Sequence, residues 1–247
     1  IGISKADSWI DMSILEDCLR EDLNECAARR IAILKPLKLI ITNYPEDQQE
    51  DCFAPNHPQK PEWGKRTIPF SKTLYIERDD FMEMPTKGYF RLSPGAEVRL
   101  RYAFIVKCVQ VVKNAQGEIE AIHCTYDPDT KSGTPGSDSR KVKGNIHWLS
   151  ARHVQPAEIR LYDRLFTDPY PNSGDKDYKT SLNPDSKEII TVYVEQSLCD
   201  AQPEQSFQFE RNGYFIADRL DMKPGKPVFN RAVTLRDSWG KNTGTSI

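Results

Sequence analysis

The sequence contains no apolar run approaching the roughly 20 residues that would span a bilayer, and no charged-then-apolar leader opens it. A cytosolic protein is therefore expected. Cysteine is sparse and dispersed: Cys18, Cys26, Cys52, Cys108, Cys124 and Cys199 form no C-x-x-C pair, and no histidine sits at zinc-finger spacing from them. That argues against both a disulfide framework and a metal site. A glycine-rich phosphate loop, an H-E-x-x-H and a G-x-S-x-G are also missing, so no residues are expected to be catalytic. Nor is there an excess of positive charge. The formal net charge is −2, so any contact with nucleic acid must come from locally sorted cations.

Such sorting is present. Residues 88–113 carry Arg91, Arg99, Arg101, Lys107 and Lys113 against the single acid Glu97. Strand alternation in EVRLRYA puts Val98 and Leu100 on one face and Arg99 and Arg101 on the other, with the guanidiniums roughly 6–7 Å apart, near the step between successive nucleotides. A planar, permanently charged fork of donors reads phosphates and base edges better than an ammonium does. A second cluster, Arg140, Lys141, Lys143, Arg152, Arg160 and Arg164, follows, with the aromatic side chains Tyr89, Phe90, Tyr102, His147 and Trp148 nearby. Outward arginines on strands also serve simply as solubilising residues, so the pattern alone leaves RNA binding open. His123-Cys124 with His147 is the one arrangement that resembles a nucleophile and its base, and its position on strands favours packing over catalysis.

The periodicity changes once along the chain. Leu15, Cys18, Leu19, Leu23, Cys26 and Ala27 recur at helical spacing, and Ser13 with Glu16 has the form of a capping box. After Pro36 the segments 37–44, 72–78, 97–113, 118–127, 144–150, 157–166, 188–196, 206–211, 214–218 and 226–239 are rich in branched and aromatic residues and read as strands. Turns are expected at Asn114–Gly117 and, as type I′, at Asn212-Gly213. Residues 45–65, 127–140 and 167–177 read as loops. No internal repeat is visible. Short strands at this spacing imply one or two closed barrels or sandwiches.

Several strings are more specific. RKVKGNIHWLSARH, EIRLYDRLF, PNHPQKPEWGKR, FQFERNGYF and PVFNRAVTLRDSW resemble the C-terminal half of the bacterial-type glutaminyl-tRNA synthetase family, and SILEDCLREDLNECAARRIAILKPLKL resembles the segment before it. The resemblance covers nearly the whole chain. It implies a mainly β fold of two closed antiparallel β-barrels, the second inserted in the first, after a short α-helical N-terminal segment. The implied domains are 1–27 as the end of a helical connecting subdomain, 28–87 plus 160–239 as the proximal barrel, 88–159 as the distal barrel, and 240–247 as a disordered tail.

The partner implied is the anticodon loop of glutamine tRNA, bound by a monomer. Carried over residue by residue, the first anticodon base meets Arg99 and Arg101, the middle base Arg29, Gln208 and Arg211, and the third Arg91. Gln208 and Arg211 have opposite strand parity, so sharing a base requires the strand end to twist or bulge. Gly88 and Phe90 stand where related enzymes can carry polar or basic residues. ATP and magnesium are expected only in the complete ligase, whose nucleotide-binding elements are absent here, so this fragment alone should not aminoacylate. The alternatives are the anticodon-binding region of a glutamate-specific relative and a free-standing RNA-binding barrel protein.

Overall fold

A computed structural model describes Lys5, residues 10–137 and residues 140–236. The expected tail at 240–247 lies outside the described residues. Helix α1 (Met12–Cys26) opens the fold. Its N-cap is Asp11, whose carboxylate accepts from the Ser13 amide at 2.8 Å, so the cap lies two residues before the expected Ser13. Of its apolar stripe only the C-terminal end is covered: Leu23 and Ala27 pack with Tyr214 and Val233, while Leu15 stays exposed.

Sixteen strands follow among the described residues. The first nine are β1 (Ala28–Arg30), β2 (Ala32–Ile33), β3 (Pro36–Ile41), β4 (Glu50–Pro55), β5 (Lys65–Phe70), β6 (Thr73–Glu77), β7 (Glu97–Leu100), β8 (Ile105–Lys113) and β9 (Ile119–Asp127). The rest are β10 (Gly144–Ile146), β11 (Trp148–Ser150), β12 (Gln155–Tyr162), β13 (Lys187–Val194), β14 (Ser206–Phe209), β15 (Gly213–Ala217) and β16 (Val228–Val233). They form two seven-stranded sheets, β1-β14-β15-β16-β12-β13-β2 and β10-β7-β8-β9-β3-β6-β11, with β4–β5 as a separate hairpin. Each sheet curls into a nearly closed barrel, which leaves little free strand edge.

The two barrels share one plan. Read in the order above, both run parallel, antiparallel, antiparallel, parallel, antiparallel, antiparallel. In each, the two outermost strands are halves of one bent segment, 28–33 or 144–150, interrupted by a single fully buried residue, Ile31 or His147. Each bent segment precedes one set of five strands in the chain but closes the barrel built from the other set. The repeat invisible in the sequence is thus a repeat of topology with its leading segments exchanged.

Three expectations need correction. The barrels are not purely antiparallel, since each contains two parallel pairings. The division of strands differs: β3 and β6, expected with 160–239, pair instead with β9 and β11. The cause is packing, because alternate residues Leu37, Leu39 and Ile41 enter the core that holds Phe104, Ile122 and Trp148. The nested order survives, with the 36–150 barrel inserted between the parts of the 28–33 plus 155–233 barrel. Finally, residues 50–55, expected as loop, form a strand whose Cys52 and Ala54 are buried in that same core. The second core gathers Phe207, Phe209, Phe215 and Phe229, with Phe209 and Phe215 stacked at 4.4 Å.

Candidate nucleic-acid interface

The barrels meet along a seam of buried charge. Glu195, 6% exposed, takes Arg30 at 3.2 Å and Arg66 at 2.8 Å, and accepts the Ile31 amide at 3.1 Å. Arg66 continues to Glu210 at 3.3 Å, and Glu210 also holds Arg101 Nε at 2.9 Å and the Tyr102 hydroxyl at 3.2 Å. Buried carboxylates tolerate such a position only when their lone pairs are filled. Here they are filled by guanidiniums: Arg66 Nη1 goes on to Pro55 O and Arg30 Nη1 to Asn56 Oδ1, while Arg101 lines a cleft.

The first cleft, about 200 Å³, is lined by Arg29, Arg101, Tyr102, Gln208, Glu210 and Arg211 among others. Arg29 and Gln208 are register partners in the parallel β1–β14 pairing, so the sheet itself sets them side by side. Arg29 is 7% exposed and donates to the Ala27 carbonyl at 2.7 Å and to Asn24 Oδ1 at 2.8 Å. Burial draws its guanidinium below the usual arginine range, yet arginine remains a cation at any physiological pH. The Gln208 amide donates to the Tyr214 hydroxyl at 2.8 Å, which donates to Asn24 Oδ1 at 3.3 Å. Loop 55–64 closes this side: Asn56 O accepts the Arg29 amide at 2.7 Å, and Asn56 Oδ1 accepts Arg30 Nη1 at 2.9 Å.

The parity conflict between Gln208 and Arg211 resolves at the strand end. Strand β14 stops at Phe209, and Arg211 adopts a left-handed conformation with φ 69°. The chain therefore turns through residues 210–212, with Asn212 N bonded to Phe209 O at 2.9 Å, and the expected type I′ pair at Asn212-Gly213 does not form. Arg211 then lines both the first cleft and a second of about 280 Å³, which it shares with Arg91, Lys35, His147 and Asn212. Arg91 and Arg211 converge on one fully buried carboxylate, Asp80.

Arg99 does not join them. Strand β7 ends at Leu100 and the chain reverses at Tyr102, φ 66°, which breaks the continuous 97–113 strand and its alternation. Arg99 donates to the carbonyls of Thr130 at 2.7 Å and Ser137 at 2.9 Å, so it braces loop 128–137. Only Arg101 of that pair reaches the first cleft. The second basic cluster is largely neutralised: Arg140 pairs with Glu97 and Asp127, Arg160 with Glu158, Asp218 and Asp221, and Arg164 with Glu16. Trp148 and His147 are buried and offer no stacking face. Cys124 is a core residue opposite Cys108; the hydrogen bond between them and burial hold its thiol far above the usual range, which removes the nucleophile reading.

Sequence reasoning missed Asp80, Glu210 and Asn24, which orient the arginines, and Tyr214, which holds Gln208. Acids in RDDF and FERN look like surface charge, and only burial distinguishes them. Among the described residues no group of three or more potential ligands could hold a metal ion, and no helix is long and apolar enough to cross a membrane.

Comparison with known proteins adds a family and relatives. Residues 27–127 and 145–218 match two models, both described as the anticodon-binding domain of class I tRNA synthetases (E and Q). Each matched stretch begins at or beside one of the exchanged bent segments. The chain is 68% identical over 98% of its length to a glutamine–tRNA ligase of Nitrosomonas europaea, covering 43% of that protein. To the glutamine–tRNA ligase of Cupriavidus taiwanensis it is 62% identical over 98% of its length, covering 41% of that protein. That of Polynucleobacter necessarius is 56% identical over 97% of the chain, with 42% of its own length covered. The chain thus spans about two fifths of the curated relatives it matches.

Proposed function

This chain belongs to the family of class I tRNA synthetase anticodon-binding domains of the E and Q group, and on that premise we propose that it reads the anticodon of glutamine tRNA. One observation carries the reading: Arg29, Arg101, Gln208 and Arg211, remote in sequence, line a single cleft at the seam of the two barrels. Unstacked bases are recognised on their edges by fixed donors, and a mismatched edge leaves buried donors unpaired at roughly 1–3 kcal/mol each. Arg29, Gln208 and Arg211 face the middle base, Arg101 approaches the first from the rim, and Arg91 serves the third from the second cleft. Arg99 acts behind Arg101 by bracing the loop.

The complete protein, in this reading, is a cytoplasmic, monomeric ligase that joins glutamine to its tRNA using ATP and magnesium. No residue of this chain is assigned to either of these. The chain contributes docking and specificity.

A gel-shift titration of the 247-residue chain tests the reading, with glutamine tRNA, an anticodon-swapped version and glutamate tRNA, each at two salt concentrations. Tighter binding to the glutamine anticodon that weakens as salt rises is expected, since phosphate contacts release counterions. Equal affinity for all three RNAs, or salt-insensitive binding, overturns it. Preference for glutamate tRNA would assign the chain to the other branch of the family.

A further inference from the structure

Asp80 is fully buried. It closes the single turn Arg78–Asp80 after β6. Its backbone is tied to the segment carrying Arg91: Leu92 N donates to Asp80 O at 3.0 Å, and Phe81 bridges Leu92. Its carboxylate takes Arg91 Nη1 at 3.1 Å from its own barrel and both terminal nitrogens of Arg211, at 2.5 and 2.6 Å, from the other. Arg91 Nη1 also donates to Asp79 O at 3.2 Å. Arg211 reaches this position from a left-handed backbone, an arrangement a non-glycine residue keeps only when its surroundings impose it. One such constraint is the Asn212 side chain, which donates to Ala32 O at 3.1 Å.

Resting on the anticodon-reading proposal, we propose that Asp80 is a positioning residue that couples recognition in the two clefts. One carboxylate holds two guanidiniums, so the trio keeps one surplus positive charge between the clefts. A guanidinium has five N–H donors. The end-on pair with Asp80 engages one on each terminal nitrogen of Arg211 and leaves the others for a base edge or phosphate. Because Arg211 lines both clefts while Arg91 lines the second, a ligand group that draws Arg211 into the first cleft loosens its share of Asp80, and Arg91 takes up the difference. Coupling of this kind is reciprocal.

Asp80→Asn in the 247-residue chain tests this, titrated with glutamine tRNA and with versions swapped at the middle base, the third base and both. For the unaltered chain, the two single-swap penalties should fail to add in the double swap. In Asp80→Asn, discrimination at both positions should fall by about tenfold or more, and the remaining penalties should add. Asp218→Asn, which removes a paired carboxylate that lines neither cleft, is the control: it should lower the melting temperature and leave discrimination unchanged. Should Asp80→Asn fail to fold, Asp80→Glu keeps the charge but displaces it by one methylene, and the same loss of discrimination is expected.

Wild-type discrimination at either position in these variants, additive penalties in the unaltered chain, or an equal loss of affinity for all four RNAs would overturn the proposal. If the unaltered chain bound all four RNAs equally, anticodon reading itself would fall, and the coupling with it.

Discussion

Arg29 and Gln208 lie opposite each other across the parallel β1–β14 pairing, although one belongs to the segment just after the helix and the other to a strand near the end of the described chain. The exchange of bent segments between barrels makes them neighbours. It also defines which residues can act together: the first cleft is a product of topology before it is a product of chemistry.

Arg101→Ala should weaken binding of glutamine tRNA by roughly 1–3 kcal/mol, the scale of a lost charged hydrogen bond. The loss should depend on the first anticodon base. Its side chain is 39% exposed while its partner Glu210 is 3% exposed, so the guanidinium is anchored at one end and open at the other. Fluorescence titration with first-base variants measures this, and a uniform loss would show that Arg101 contacts phosphate alone.

Arg99→Ala should behave differently. Its donors go to backbone carbonyls of loop 128–137, and their removal leaves those acceptors unpaired at about 1–3 kcal/mol. Hydrogen exchange in that loop should quicken, while discrimination at the first base changes little. Strong base-selective loss without faster exchange would return Arg99 to the interface.

Gly213→Ala should disturb the site from behind. With φ 147° and a would-be Cβ 2.9 Å from Val233 O, the position admits no side chain without moving β16 or the turn that carries Arg211. A stability loss of about 1–3 kcal/mol is expected in urea denaturation, together with weaker binding of glutamine tRNA. Unchanged binding would show that Arg211 is held by Asp80 alone.

Asp218→Asn provides the pH-dependent case. The Asn230 amide, the backbone amides of Asp221 and Leu220, and Arg160 hold the Asp218 carboxyl at about 2, below its ordinary 3.8, against the opposing effect of burial. A depressed value means the ionised form stabilises the fold above pH 3.8, and that contribution disappears as pH falls toward 2. The variant should therefore be less stable than the unaltered chain at neutral pH, with the deficit shrinking across that acid window. A deficit independent of pH would point to lost packing.

How much could be read in advance differs element by element. Hairpin β8–β9 was legible because Asn114–Gly117 is a turn signal between two alternating runs, and Gly117 indeed takes a positive φ. Strand β4 was not, because Glu50 and Asp51 mask the two buried positions that follow. The break at Tyr102 was not legible either, since a left-handed tyrosine leaves no mark in local composition. That break alone decided which of Arg99 and Arg101 faces the cleft.

The linear sequence determined what is written in local periodicity and residue type: a helix followed by strands, and a set of arginines with the chemistry to read bases. Burial and pairing belong to the tertiary structure. It decided that each barrel is closed by the other's leading segment, that Asp80, Glu195 and Glu210 are buried acids while similar acids elsewhere are solvated, and that Arg140, Arg160 and Arg164 are taken up in ion pairs. The physical reason is that a charge's role depends on what desolvates it and what pairs with it. At this seam both come from residues far away along the chain.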